Sequence, residues 1–141
     1  MRHKKNLEII EKLRQQAEIA ISNSYCRYSN IPVGAALLTP GGEIYKGCNI
    51  EIAALSTSIC AEESAIAQMV STTGGRHISA ILILSKVHIW PCGNCRERLN
   101  EFLDKRMIIY VSDCYGKVCS DDLRNLFPHP FDKRVKGYTS C

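Results

Sequence analysis

Two short stretches concentrate the residues of this chain whose types and spacing can do chemistry. The first is Cys60-Ala61-Glu62 and the second is Pro91-Cys92-Gly93-Asn94-Cys95. Two cysteines separated by two residues on the first turn of a helix carry their sulfurs on one side, close enough to share one ion. A third thiolate, from the start of a neighbouring helix, completes a three-ligand set. The partial positive charge at helix N-termini favours the ionised thiolate that zinc needs. Three protein ligands leave a fourth tetrahedral position for water, the arrangement of catalytic rather than structural zinc. Glu62, two residues beyond Cys60, can stand beside that position without being a ligand itself.

Other chemistries use the same residue types. A lone Cys-x-x-Cys also serves as a redox pair, but such a pair follows directly on a strand, and Ser85 to Trp90 lacks a strand pattern. A four-cysteine structural site would recruit Cys48 or Cys114, and no second Cys-x-x-Cys pair is present to support it. The two motifs together favour catalytic zinc. Cys26, Cys48, Cys114, Cys119 and Cys141 read as small apolar fillers or surface thiols.

Composition sets the frame for these motifs. The chain has 141 residues, 8 of them cysteine, below the roughly 8–10% of a short disulfide scaffold. Hydrophobic residues make up 45% and charged residues 23%, a balance that excludes a disordered chain. No repeat or linker divides the sequence, so a single domain over residues 1–141 is expected, long enough to bury its own core. The longest apolar run, Ala80 to Leu84, is too short to cross a bilayer, and no membrane partner is expected. The basic start Met1-Arg2-His3-Lys4-Lys5 is followed by Glu8, Glu11, Lys12 and Arg14 where a secretory signal would be apolar. A cytoplasmic, reducing location is therefore expected for the thiols. The formal net charge is +4 with Lys and Arg scattered, which argues against a nucleic-acid partner.

The motifs need elements to hold them in place. Leu7, Ile10, Leu13, Ala17 and Ile21 recur at helical spacing, and Ser22-Asn23-Ser24 ends that helix. Val33 to Leu38 reads as a buried strand, and Pro40-Gly41-Gly42 as a turn into a second strand around Glu43 to Lys46. After a loop of polar and small residues, a helix opens near Cys60 and carries Ala61, Ala65, Ile66 and Met69 until Thr72-Thr73-Gly74-Gly75 stops it. Ala80 to Leu84 reads as a strand covered on both faces. Pro91 precedes a helix with Leu99, Phe102 and Leu103 on its apolar face. Met107 to Val111 is a further buried strand, and Asp113 to Gly116 a turn into a short fifth strand near Lys117-Val118. Ser120-Asp121-Asp122 caps a last helix through Leu126. Helices alternating with apolar strands predict a layered α/β domain with helices on both faces of one sheet.

Taken together, Cys60-Ala61-Glu62 and the downstream Pro91-Cys92-Gly93-Asn94-Cys95 resemble the zinc-dependent cytidine deaminase family. Tyr28-Ser29-Asn30-Ile31-Pro32-Val33-Gly34-Ala35-Ala36-Leu37 is similar to the family's first loop and strand. Gly47-Cys48-Asn49-Ile50-Glu51 resembles its nucleoside-binding loop, and Leu126-Phe127-Pro128-His129-Pro130-Phe131 its C-terminal segment. The resemblance implies a three-layer fold with a mixed five-stranded sheet and one zinc ion per chain, held by Cys60, Cys92 and Cys95. It implies hydrolytic deamination of cytidine or deoxycytidine in pyrimidine salvage. Water activated at the zinc attacks the ring while Glu62 moves a proton to ring N3 and then to the departing amino group. It further implies that Ala61 (through its N–H), Trp90 (through its carbonyl), Asn49, Glu51 and Phe131 bind the nucleoside. Its small members are homotetramers whose sites are completed by neighbouring subunits.

The chain departs from the family pattern at several positions. Glu63 follows the Cys-Ala-Glu triplet where Arg is frequent, and three thiolates on Zn²⁺ already sum to −1. Arg96 or Arg98 can compensate, with Arg96 favoured by its place in the first helical turn. Ile31 stands where the family often has Phe. Ile52-Ala53-Ala54-Leu55 replaces a stretch that usually carries Asn and Tyr. These changes leave the zinc chemistry in place and bear on the substrate, so two other readings stand beside the first. One is deamination of a modified cytosine nucleoside such as a blasticidin-type antibiotic. The other is a non-catalytic zinc-binding module.

Overall fold

The computed structural model describes residues 2–131, the side chains of Arg2, His3 and Lys5 excepted; Cys141 falls outside them. Helix α1 (Arg2–Ile21) leads into the hairpin β1 (Val33–Leu38) and β2 (Ile44–Cys48). A single 3₁₀ turn (Leu55–Thr57) precedes α2 (Ala61–Thr73), which returns the chain to β3 (Ile78–Ser85). Then come α3 (Gly93–Glu101), β4 (Leu103–Ser112), β5 (Val118–Asp122) and the short α4 (Leu123–Leu126). The five strands form one mixed sheet in the order β2-β1-β3-β4-β5. Only the β3–β4 pair is parallel, since α3 crosses over between them, and the other neighbours run antiparallel.

The side-chain alternation of the central strands divides the core into two. Ala35 and Leu37 of β1, Ile81 and Ile83 of β3, and Ile109 and Val111 of β4 pack with Ala61, Ala65 and Met69 of α2, Leu99 of α3 and Leu123 of α4. The intervening residues Ala36, Leu82 and Leu84 pack on the other face against Leu13 and Ala17 of α1. Helices thus cover both faces, as the unbroken apolar run of β3 predicts. Two glycines set how closely the helices approach. A Cβ on Gly34 would lie 2.3 Å from the Ala17 carbonyl oxygen, and one on Gly47 would lie 2.3 Å from the Ala65 nitrogen. With no side chain at Gly47, the backbone of α2 rests directly on β2.

Several boundaries differ from the sequence reading. The second strand runs on to Cys48. Phe102 closes α3 as its C-cap, and Leu103 already belongs to β4, which pairs Leu103 with Ile78 of β3. The exposed charged run Asp104-Lys105-Arg106 hides that strand start, because it offers no apolar alternation. Ser120 and Asp121 lie in β5, and the cap of α4 is Asp122 alone, whose carboxylate accepts the Arg124 N–H at 3.0 Å.

Candidate metal centre

The three cysteines of the two motifs meet at the first turns of α2 and α3. Cys60 is the N-cap of α2 and Cys92 the N-cap of α3, both in extended backbone conformation. The Cys92 sulfur accepts the Cys95 N–H at 3.4 Å, so a thiol takes the place of the usual capping oxygen. The sulfurs of Cys60 and Cys92 are 4.0 Å apart, and all three sulfurs lie within 4.8 Å of one another. Tetrahedral zinc with Zn–S bonds of about 2.3 Å sets its sulfurs about 3.8 Å apart, so the donor set fits the ion. No other group of this kind exists among the described residues.

The surroundings bias the protons of these groups. Cys95 is buried, Cys60 half-buried and Cys92 exposed. Cys60 is brought down to about 7, first because Cys95 donates to its sulfur, with burial and the charge of Glu62 opposing. Cys95, as the donor, is pushed up by the same hydrogen bond and by burial. Of these two, Cys60 is the readier to become a thiolate. Glu62, on the first turn of α2, is 5% exposed. Burial holds its carboxyl above the ordinary range, against the opposing hydrogen bonds from its own backbone and from Cys95. A carboxyl so placed can take up a proton and return it.

Cys60, Ala61, Glu62 and Cys92 line a cavity of about 430 Å³ together with Asn49, Glu51, Leu55 and Trp90. That volume lies within the range of small-molecule sites. Phe131 is 58% exposed and lies outside the lining of this cavity. The segment carrying Asn49 and Glu51 is not a loose loop. Tyr25 and Ile59 pin it from either side through backbone hydrogen bonds of 2.8–3.0 Å to Asn49, Ile50 and Glu51. This extended geometry turns Asn49 and Glu51 to the same side.

Both side chains already hold protein groups. Asn49 Oδ1 accepts the Ser24 hydroxyl at 2.5 Å and the Val33 N–H at 2.9 Å, and Nδ2 donates to the Ile31 carbonyl at 3.0 Å. Glu51 accepts two N–H groups and a hydroxyl from Tyr28 and Ser29. Residue types and spacing do not announce these clasps, because a serine in a loop carries no sign of its partner.

The two arginines after Cys95 also separate in role. Arg96 Nε donates to the Pro91 carbonyl at 2.8 Å and Nη1 to the Leu126 carbonyl at 2.9 Å, tying the start of α3 to α4. Arg98 reaches across to α2 and pairs with Glu63 at 3.4 Å. The glutamate that stands where an arginine is frequent thus meets its counter-charge from the neighbouring helix.

Comparison with known proteins bears on this site directly. The family described as the cytidine and deoxycytidylate deaminase zinc-binding region matches residues 7–111. A cytidine deaminase of Sporosarcina psychrophila is 36% identical over 133 residues, covering 93% of this chain and 97% of that one. The cytidine deaminase of Halalkalibacterium halodurans is 32% identical over 123 residues, 86% of this chain and 92% of its own. Among solved structures, the cytidine deaminase of Burkholderia pseudomallei superposes with a TM-score of 0.80 at 31% identity, over 86% of this chain and 98% of that one. With a match spanning well over half of its length and three thiols gathered within it, the chain belongs to the cytidine and deoxycytidylate deaminase zinc-binding family.

Proposed function

We propose that this chain hydrolytically deaminates cytidine and deoxycytidine to uridine and deoxyuridine, releasing ammonia, as a step of pyrimidine salvage. The observation that carries the reading is the buried Glu62 in one cavity with Cys60 and Cys92, beside the three-thiol cluster. Cys60, Cys92 and Cys95 hold the zinc ion, which when bound supplies a water activated near neutral pH. Glu62 would take one proton from the attacking water and hand it to ring N3, leaving the amino-bearing carbon electrophilic for the water oxygen to bond. The second proton of that water would then pass through Glu62 to the amino group, whose bond to the ring breaks as ammonia leaves. Ala61, at the first position of α2, has an N–H without an intrahelical acceptor and gives it to the pyrimidine O2. The Trp90 carbonyl accepts from the leaving amino group.

Asn49 and Glu51 hold the sugar. A carboxamide has two N–H donors, and a carboxylate about four acceptor places. Beyond the clasps described above, Asn49 keeps one donor and Glu51 about one acceptor place, the complement of a single hydroxyl. Arg96 offsets the net charge of three thiolates on Zn²⁺. Phe131 lies outside the cavity lining of its own chain, and in a homotetramer it serves a neighbouring site. The free thiols of the cluster suit a reducing cytoplasm.

Purified protein supplied with either nucleoside releases ammonia and shifts the ultraviolet spectrum to that of the uracil product. Failure on both by zinc-loaded protein overturns the reading. Metal analysis gives one zinc per chain. Light scattering gives a tetramer, and a monomer overturns the assembly.

A further inference from the structure

The loop between α1 and β1 takes no part in the deamination chemistry, yet it builds an anion cradle. The Asn30 N–H donates to the Cys26 carbonyl at 2.8 Å and closes a single turn, and Asn30 itself takes the left-handed conformation at φ 57°. The turn aims two successive N–H groups, those of Tyr28 and Ser29, at Glu51 Oε2, with distances of 2.8 and 3.0 Å. The Ser29 hydroxyl donates to the other carboxylate oxygen, Oε1, and accepts the Ile31 N–H at 3.0 Å. Successive N–H groups in a turn form a concave seat for an anion. Here the anion is the chain's own carboxylate, on a residue that also lines the cavity.

The hydroxyl does what the two N–H groups cannot. They converge on one oxygen and leave the carboxylate free to turn about that contact. A hydroxyl has one proton to give, and with the Ile31 N–H directed at its oxygen, that proton goes to Oε1. Hydrogen bonds to the charged form, the Ser29 hydroxyl first, also hold the Glu51 carboxyl below its usual range. Three donors then occupy three of about four acceptor places, leaving about one for a ligand.

We propose that Ser29 is a positioning residue that sets sugar specificity: its hydroxyl fixes Glu51 so that the carboxylate offers its last acceptor place to one sugar hydroxyl, the 3′-hydroxyl. The inference rests on the reading of Glu51 as the sugar contact. The probe is the pair cytidine and 3′-deoxycytidine, compared by kcat/KM on the zinc-loaded protein. In Ser29→Ala the preference for cytidine falls by about tenfold, the scale of one hydrogen bond to a charged group. The loss falls on cytidine alone, and Ser29→Thr, which keeps the hydroxyl, restores the preference.

Equal losses on both substrates, the mark of a merely structural role, overturn the assignment. So does an unchanged preference in Ser29→Ala when Glu51→Gln abolishes it. A preference left intact in Glu51→Gln overturns the reading of Glu51, and the positioning role with it.

Discussion

The two faces of the sheet are covered by helices of similar apolar content, but only one of them buries chemistry. On the first, α1 lays its middle along the strands, and the apolar cluster there is made of Leu13, Ala17, Ala36, Ala80, Leu82 and Leu84. On the second, α2 and α3 bring their first turns to the end of the sheet, and Glu62 and Cys95 are buried with them. Apolar burial on the α1 face stabilises and does little else. Burial of a carboxyl and a thiol costs free energy, and it is tolerated where helix starts supply N–H donors and a favourable dipole. Reactivity in this molecule is a property of helix ends, and stability a property of helix middles.

Three substitutions test that contrast. The largest effect belongs to Glu62→Gln, which lowers deamination by about 10² to 10⁴. Zinc content stays the same, and the thermal midpoint does not drop, because the amide replaces a carboxyl whose charged form burial disfavours. A lowered midpoint with activity retained would break the contrast.

Leu13→Ala is the mirror case. Leu13 is fully buried, at 0% exposure, and its truncation costs about 2–5 kcal/mol in denaturant unfolding. Below the new midpoint kcat/KM is unchanged; a fall in kcat/KM without loss of structure would show that the α1 face reaches the site.

The smallest effect is that of Arg98→Ala. It removes a guanidinium that is 44% exposed, together with its 3.4 Å pair with Glu63, and costs less than about 1 kcal/mol. The cost shrinks further in high salt. A larger, salt-insensitive loss would mean that this pair clamps α2 to α3.

Much of this division was legible in the sequence. The residue types that ligate zinc are few, and their spacing at helix starts marks Cys60, Cys92 and Cys95 as one cluster. The continuous run from Ala80 to Leu84 gave a strand with two covered faces for an equally simple reason, that water touches neither side. The clasps were not legible. Spacing puts Asn49 and Glu51 on one side of an extended segment, but nothing in Ser24, Ser29 or Ile31 announces which side chain its hydroxyl or backbone will meet. Leu103, an apolar residue four after Leu99, fits the helical period, whereas ladder pairing with Ile78 decides its conformation. The pairing of Arg98 with Glu63 is likewise hidden in the sequence, since a partner across two helices depends on how they pack rather than on turn position.

The spacing of the three sulfurs along the chain has a consequence for folding. Cys92 and Cys95 share one helical turn, but Cys60 lies 32 residues before Cys92. The local pair can exist in an unfolded chain; the trio exists only once β1 has joined β2 to β3 and α2 has settled on Gly47. A zinc ion that binds the trio far better than the pair therefore favours the folded chain as a whole. The thermal midpoint of this protein then rises with free zinc, making the ion a reporter on the assembly of the entire sheet.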